Sequence, residues 1–284
     1  MPTRRAFVIG YPVKHSRSPL IHNFWLKKYD IDGSYIKLEV LPEKLGEFLV
    51  EMQGHGYCGG NVTLPHKEKV YSACVFTTAM AQKVGAVNTL WLENGHICGD
   101  NTDVTGFLAN LDAEAPGWDV DCSSAAVIGA GGAARAILVG LAERNIAEVK
   151  ILNRSADRMQ ALVEEARNWG FRKVSGRLLD DKPGVLSGEA LLVNTTSLGM
   201  VGQPRLTIDL GGLRERAVVS DIIYAPLETE LLADARARGH RISSGLGMLL
   251  HQAAPGFERW FGVRPVVSEE LREFIIEDLR RAQS

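Results

Sequence analysis

Cysteine is scarce in this 284-residue chain, and its four thiols, Cys58, Cys74, Cys98 and Cys122, are scattered without a Cys-x-x-Cys pair. That spacing suits reduced thiols in a cytoplasmic protein better than disulfides or a metal site, so no metal site is expected. A basic tract is missing too. The 32 Lys+Arg against 34 Asp+Glu leave a formal charge of -2, and the 7% of aromatic residues do not alternate with basic ones. Nothing offers a groove to a phosphate backbone, so nucleic acid is not an expected partner. Long apolar runs are absent as well: the least polar stretch, from Ala125 to Ala142, is rich in Gly and Ala and carries Arg135, so no membrane span is expected. The first residues run from a short basic start straight into an apolar strand and a Gly-Tyr-Pro turn, without a signal peptide's longer apolar region and cleavage site. A cytoplasmic protein follows as the expectation, its partners a small-molecule substrate and at most a second copy, as monomer or homodimer.

What is present suffices for a sizeable core. With 45% hydrophobic and 23% charged residues over this length, two domains of ordinary size are expected. Up to about residue 103, apolar runs alternate with helical periods: strands at Ala6–Gly10, Ser34–Val40, Gly60–Leu64 and Ala86–Leu92, helices at Ser18–Lys28 and Pro42–Gly54. A helix at Val104–Leu111 leads into a second series, with strands at Ser124–Gly129, Glu148–Asn153, Ala190–Asn194 and Ala217–Tyr224 and helices at Ala133–Glu143, Asp157–Trp169 and Glu228–Arg238. Both series read as α/β. The apolar tail after Gly245 forms two helical stretches, and the simplest packing returns them to the first domain. The boundaries expected are therefore 1–103 with 245–284 for one domain and 104–244 for the other.

Gly129-Ala130-Gly131-Gly132-Ala133-Ala134 sits between an apolar strand and a helix. In that context Gly129 permits a tight turn, Gly131 lets the backbone approach a pyrophosphate, and Ala134 allows close helix packing, while the helix N-terminus supplies free N–H groups. The alternative is a glycine turn that binds nothing. At the end of the next strand stand Asn153-Arg154-Ser155, with Arg158 one turn on. A carboxylate there would suit NAD, whereas a guanidinium pairs with a 2′-phosphate, so NADP is the cofactor expected. Thr195, directly after an apolar strand, falls at the carboxyl edge of the sheet where a dinucleotide crosses.

Two further segments place polar chemistry on turns. Asn61-Val-Thr63-Leu-Pro-His-Lys67 and Asn101-Thr-Asp103 offer amide, hydroxyl, ammonium and carboxylate groups, and Pro65 bars a regular helix or central strand through the first. His15-Ser16-Arg17-Ser18-Pro19 puts two hydroxyls at i, i+2 ahead of a helix, a pattern that alone is a helix cap and with its neighbours an anion site.

Taken together, Gly10-x-Pro12, His15-Ser-Arg-Ser-Pro-Leu-Ile-His22-Asn23, Asn61 to Lys67, Gly85-Ala-Val-Asn88-Thr89, Asn101-Thr-Asp103 and Gly245-Leu-Gly-Met-Leu-Leu-His-Gln252 stand in an order that resembles the shikimate dehydrogenase family along nearly the whole chain. The resemblance implies an N-terminal α/β substrate domain, a Rossmann NADP-binding domain and C-terminal helices returning to the first. It implies reversible reduction of 3-dehydroshikimate to shikimate by NADPH in chorismate and aromatic amino-acid biosynthesis. Lys67 matches the family's catalytic lysine and Asp103 its carboxylate partner. Ser16 and Ser18 match the carboxylate-holding pair, with Tyr224 nearby. Asn61, Thr63, Asn88, Asp103 and Gln252 match the groups that hold ring hydroxyls. Ile222, Gly245 and Met248 complete the cofactor set, with plain core as the lesser reading of Met248.

A free lysine, with a pKa of about 10.4, is a poor acid-base catalyst at neutrality unless desolvation lowers it, so Lys67 is either proton donor or electrostatic clamp. Val104 after Asn-Thr-Asp and Ala225 after Tyr224 depart from the family's common glycine and asparagine. Three rivals remain: a quinate/shikimate enzyme, against which Ser18 and Arg154 argue; an aminoshikimate enzyme; and a non-catalytic NADP-binding sensor, against which the presence of Lys67 and Asp103 argues.

Overall fold

The computed structural model describes residues 4–179 and 184–282. In chain order the elements are β1 (Arg4–Gly10), α1 (Ser18–Lys28), β2 (Gly33–Glu39), α2 (Leu45–Glu51), β3 (Tyr57–Val62), α3 (Lys67–Ala73), β4 (Phe76–Thr77), α4 (Ala79–Val84), β5 (Thr89–Glu93), β6 (His96–Asp100) and α5 (Asp103–Glu114). There follow β7 (Ser124–Ile128), α6 (Gly132–Glu143), β8 (Glu148–Asn153), α7 (Ala156–Ala166), β9 (Lys173–Leu178), β10 (Leu191–Asn194), β11 (Val218–Asp221), α8 (Glu230–Ala237), β12 (Arg241–Ser243), α9 (Gly245–Phe261) and α10 (Glu269–Arg281). The chain divides into two compact units, Met1–Asp103 with Leu250–Arg281, and Val104–Leu249.

In the first unit a six-stranded sheet runs β2-β1-β3-β5-β6-β4. β1 pairs in parallel with β2 and β3, and its Ala6-Phe7-Val8-Ile9 run is buried, as a strand covered on both faces requires. The alternation expected for the later strands is replaced by antiparallel pairing of β3 with β5 and of β5 with β6. The β5–β6 hairpin turns at Asn94 and Gly95, both at positive φ (51° and 78°), which suits those two residue types. Phe7, Ile9, Leu45, Leu49, Met52, Val62, Val70 and Leu90 pack together into the core beneath the sheet.

The second unit is a doubly wound sheet, β12-β11-β10-β7-β8-β9, with every pairing parallel. Strand order reverses between β7 and β10. A nucleotide crosses such a sheet at the carboxyl ends of the strands flanking that reversal. α6 is buried along most of its length, with Ala134, Ile137, Leu138 and Leu141 in a core shared with Val127, Ile151 and Val193. The helix expected up to Trp169 ends at Ala166 and continues as a tight turn, and β9 is an additional edge strand. Among the described residues no helix is long and apolar enough to cross a membrane, and no group of three His, Cys, Asp or Glu residues could hold a metal ion.

Candidate active site

Lys67 and Asp103 are each the first residue of a helix, α3 and α5. Of the polar groups expected on loops, Thr63 and Asn101 lie outside the regular elements; Asn61 is on β3, and Lys67 and Asp103 open helices. Thr63 and Leu64 are laid against β1 through Thr63 N to the Ile9 carbonyl (2.8 Å) and Tyr11 N to the Leu64 carbonyl (3.0 Å). Gly10 is required there, because a Cβ would collide with the Thr63 methyl group. From this anchored turn Lys67 Nζ reaches Asp103 Oδ2 at 2.5 Å, a pair whose side chains are 20% and 12% exposed.

The other oxygen of Asp103 accepts from Asn88 Nδ2 at 2.7 Å. Asn88 Oδ1 in turn takes the Thr102 N–H (2.8 Å) and lies within reach of the Thr89 and Thr102 hydroxyls (3.0 and 3.1 Å). Asn61 is committed in the same way: its Nδ2 donates to the Asn88 carbonyl (3.2 Å) and Thr89 Oγ1 (3.1 Å), and its Oδ1 accepts from the Tyr35 hydroxyl (2.6 Å). Both amide hydrogens of Asn61 therefore face protein, leaving one acceptor position on Oδ1. Thr102 Oγ1 donates to the backbone carbonyl of Gln252 on α9 (2.8 Å), which ties that half-exposed residue to the cluster. Ser16 and Ser18 lie side by side, Oγ to Oγ 3.2 Å, and Thr63 is half-buried at the turn. The histidines shape rather than face the site. His66 is buried with its Nε2 2.7 Å from the Val40 carbonyl, and His22 is stacked on Tyr35 at 4.1 Å, its pKa lowered by burial to about 3.

In the second unit, Gly129 adopts φ 117°, and a Cβ there would meet the Thr195 hydroxyl. Over Gly131 and Gly132 the opposite holds, since a Cβ on either would meet nothing within 4 Å. α6 starts at Gly132 with no side chain capping its N-terminus. Free N–H groups, open space above the loop and a helix dipole together fit a diphosphate. Ala130 and Ala133 flank this turn, both half-buried. Asn153 ends β8 and its Nδ2 holds the Ser155 carbonyl (3.0 Å), while Ser155 caps α7. Arg154 and Arg158 are exposed, and among the described residues no carboxylate pairs with either guanidinium.

One residue of this region escaped the sequence reading. Asp221, at the end of β11, is fully buried and accepts from Asn194 Nδ2 (3.1 Å), Ile223 N (3.1 Å) and the Thr229 hydroxyl (2.8 Å). Burial raises its pKa against these three donors. It binds together the turns that carry Thr195 on one side and Ile222 and Tyr224 on the other; a lone acidic residue closing an apolar strand was the available signal. Gly245 opens α9 beside Ile222, whose carbonyl a Cβ would strike, and Met248 is buried in the core of this unit.

The family model of the shikimate dehydrogenase substrate-binding domain matches residues 8–90, that of shikimate / quinate 5-dehydrogenase residues 112–196, and that of the shikimate 5′-dehydrogenase C-terminal domain residues 245–267. A shikimate dehydrogenase (NADP(+)) of Sinorhizobium fredii is 51% identical over 276 residues, 96% of this chain and 95% of the relative. Among solved structures, shikimate 5-dehydrogenase of Thermus thermophilus in complex with NADP(H) and shikimate superposes with a TM-score of 0.80 at 34% identity, covering 98% of this chain and 99% of that one. A quinate dehydrogenase of Corynebacterium glutamicum in complex with NAD reaches 0.87 at 28% identity, over 96% and 99%. Both structures superpose on nearly the whole of this chain. The chain belongs to the shikimate dehydrogenase family.

Proposed function

We propose that Lys67 and Asp103 carry, in this chain, the reversible NADPH-dependent reduction of 3-dehydroshikimate to shikimate. The chain is an NADP-dependent oxidoreductase of aromatic amino-acid biosynthesis, and bound NADPH supplies the hydride. The observation that carries the residue assignment is the Lys67–Asp103–Asn88 arrangement, an ammonium held at 2.5 Å by a carboxylate whose second oxygen is fixed by an amide.

In this reading the Lys67 ammonium hydrogen-bonds the keto oxygen and passes it a proton as charge develops there, and Asp103 keeps the ammonium aimed and accepts from a ring hydroxyl. Ser16 and Ser18 hold the substrate carboxylate, with N–H donors of α1 behind them. Thr63, Asn88 and Gln252 complete the polar surround of the first unit, and Asn61 contributes chiefly by fixing Asn88. Gly129 to Ala133 take the diphosphate, Asn153, Arg154, Ser155 and Arg158 the 2′-phosphate end, and Thr195, Ile222, Gly245 and Met248 the nicotinamide half. The cytoplasm is the compartment proposed, and four unpaired thiols support it.

Steady-state oxidation of shikimate and of quinate with NADP and with NAD, in all four pairings, tests the reading. Shikimate with NADP is expected to have the highest kcat/KM; a preference for quinate or for NAD would overturn it.

A further inference from the structure

Arg17 stands between the two serines, at the N-cap of α1. A cation is disfavoured at a helix N-terminus, and a free guanidinium on so long a side chain would sweep the space over both hydroxyls. Its backbone is fixed by carrying the first turn of α1, the carbonyl accepting from Leu20 N and Ile21 N (3.0 and 3.3 Å). The side chain reaches α10. Arg17 Nε lies 2.6 Å from Asp278 Oδ2, with the two side chains 19% and 35% exposed, and Nη1 donates to the His15 carbonyl at 3.4 Å.

Asp278 belongs to the last turn of α10, where the helix dipole also favours a nearby cation. α10 runs antiparallel along α1. The far end of the seam is closed by Lys28 Nζ to Glu270 Oε2 (2.5 Å), and its middle by the Phe24 and Phe274 rings, 5.6 Å apart. The two contacting atoms, Arg17 Nε and Asp278 Oδ2, are themselves buried and meet as an ion pair without hydrogen-bond geometry. The pair draws the guanidinium towards α10, and the residue it draws separates Ser16 from Ser18.

We propose that Asp278 is a positioning residue of the substrate site: through Arg17 it holds the Ser16–Ser18 turn and keeps the guanidinium off the place where the substrate carboxylate sits. The carboxylate is then met by two neutral hydroxyls and backbone N–H groups, and Arg17 is a tether rather than a ligand. The C-terminal helix is in this way part of the substrate site without touching substrate. The inference rests on the assignment of Ser16 and Ser18 made above.

The test is a set of steady-state KM values on the full-length enzyme, with thermal unfolding recorded for each variant. Asp278→Asn and Arg17→Gln should each raise the KM for shikimate by about five-fold, and the double variant by no more than either single, since partners in one contact are not additive. kcat and the KM for NADP should stay within about two-fold. Arg17→Lys, which keeps the pair, should stay near the parent enzyme, and so should Glu270→Gln, which breaks the matching pair at the other end of the same helix seam. An unchanged or lowered KM in Asp278→Asn, an additive double variant, or an equal rise in Glu270→Gln would overturn the proposal. Ser18→Ala separates the two layers. If it raises the KM while Asp278→Asn does not, only the tether fails; if it has no effect, the carboxylate assignment fails and the tether with it.

Discussion

Lys67 reaches its carboxylate from the first residue of a seven-residue helix, and the turn before it is pinned to β1 by backbone hydrogen bonds. Removing the ammonium should therefore leave the scaffold in place. Lys67→Ala is expected to lower kcat by about 100-fold or more, the scale of a lost proton donor, with the KM for NADP within about two-fold. Unchanged turnover would remove Lys67 from the chemistry. At this scale the sequence was a good guide to which side chains gather: Lys67, Asp103, Asn61 and Asn88 lie in one continuous hydrogen-bonded cluster. Their partners were not legible. Thr89 and Thr102 stand inside quoted motifs without a role of their own, and Tyr35 stands in none; they reach the cluster from β5, the turn before α5 and β2, contacts that exist only once the sheet has formed.

At the scale of elements, the glycine loop shows the clearest tie between a residue type and a shape. Gly129 takes φ 117° and packs on Thr195, so Gly129→Ala faces both backbone strain and a collision. We expect that variant to lose most of its NADP affinity in a fluorescence titration and to unfold at lower temperature; parental affinity would mean that the loop takes another course. The long buried strands and helices were legible because their periodicity extends over enough residues. α3 and α4, of seven and six residues, and the two-residue β4 are too short for any period to register. The β5–β6 hairpin is a different case. Asn94-Gly95 is a strong hairpin signal that was available in the sequence, and reading Ala86–Leu92 as one isolated strand passed over it. β9 has a half-exposed edge pattern, Lys-Val-Ser-Gly-Arg-Leu, with little apolar content to announce it.

For the molecule as a whole, His22, one of two buried histidines among the described residues, sets an acid limit. His22 has no exposure, and its pKa is lowered by burial from 6.5 to about 3. The unfolded chain therefore binds a proton near pH 6.5 that the folded chain refuses. The stability this gives is fully present above pH 6.5 and is lost as pH falls from there toward 3, at about 1.4 kcal/mol per pH unit. Urea unfolding at pH 7 and pH 4.5 should show a smaller drop for His22→Phe, which keeps a ring in the stack, than for the parent chain. Equal drops would assign the acid sensitivity to other groups.

The committed amides of Asn61 and Asn88 have a thermodynamic consequence for ligand binding. Their side-chain rotamers are already fixed by Tyr35, Thr89, Thr102 and Asp103 in the protein itself, so their loss of rotational freedom belongs to folding and not to the arrival of substrate. Substrate meets groups that need no reorientation, and the entropy of ordering this part of the site is absent from the binding step.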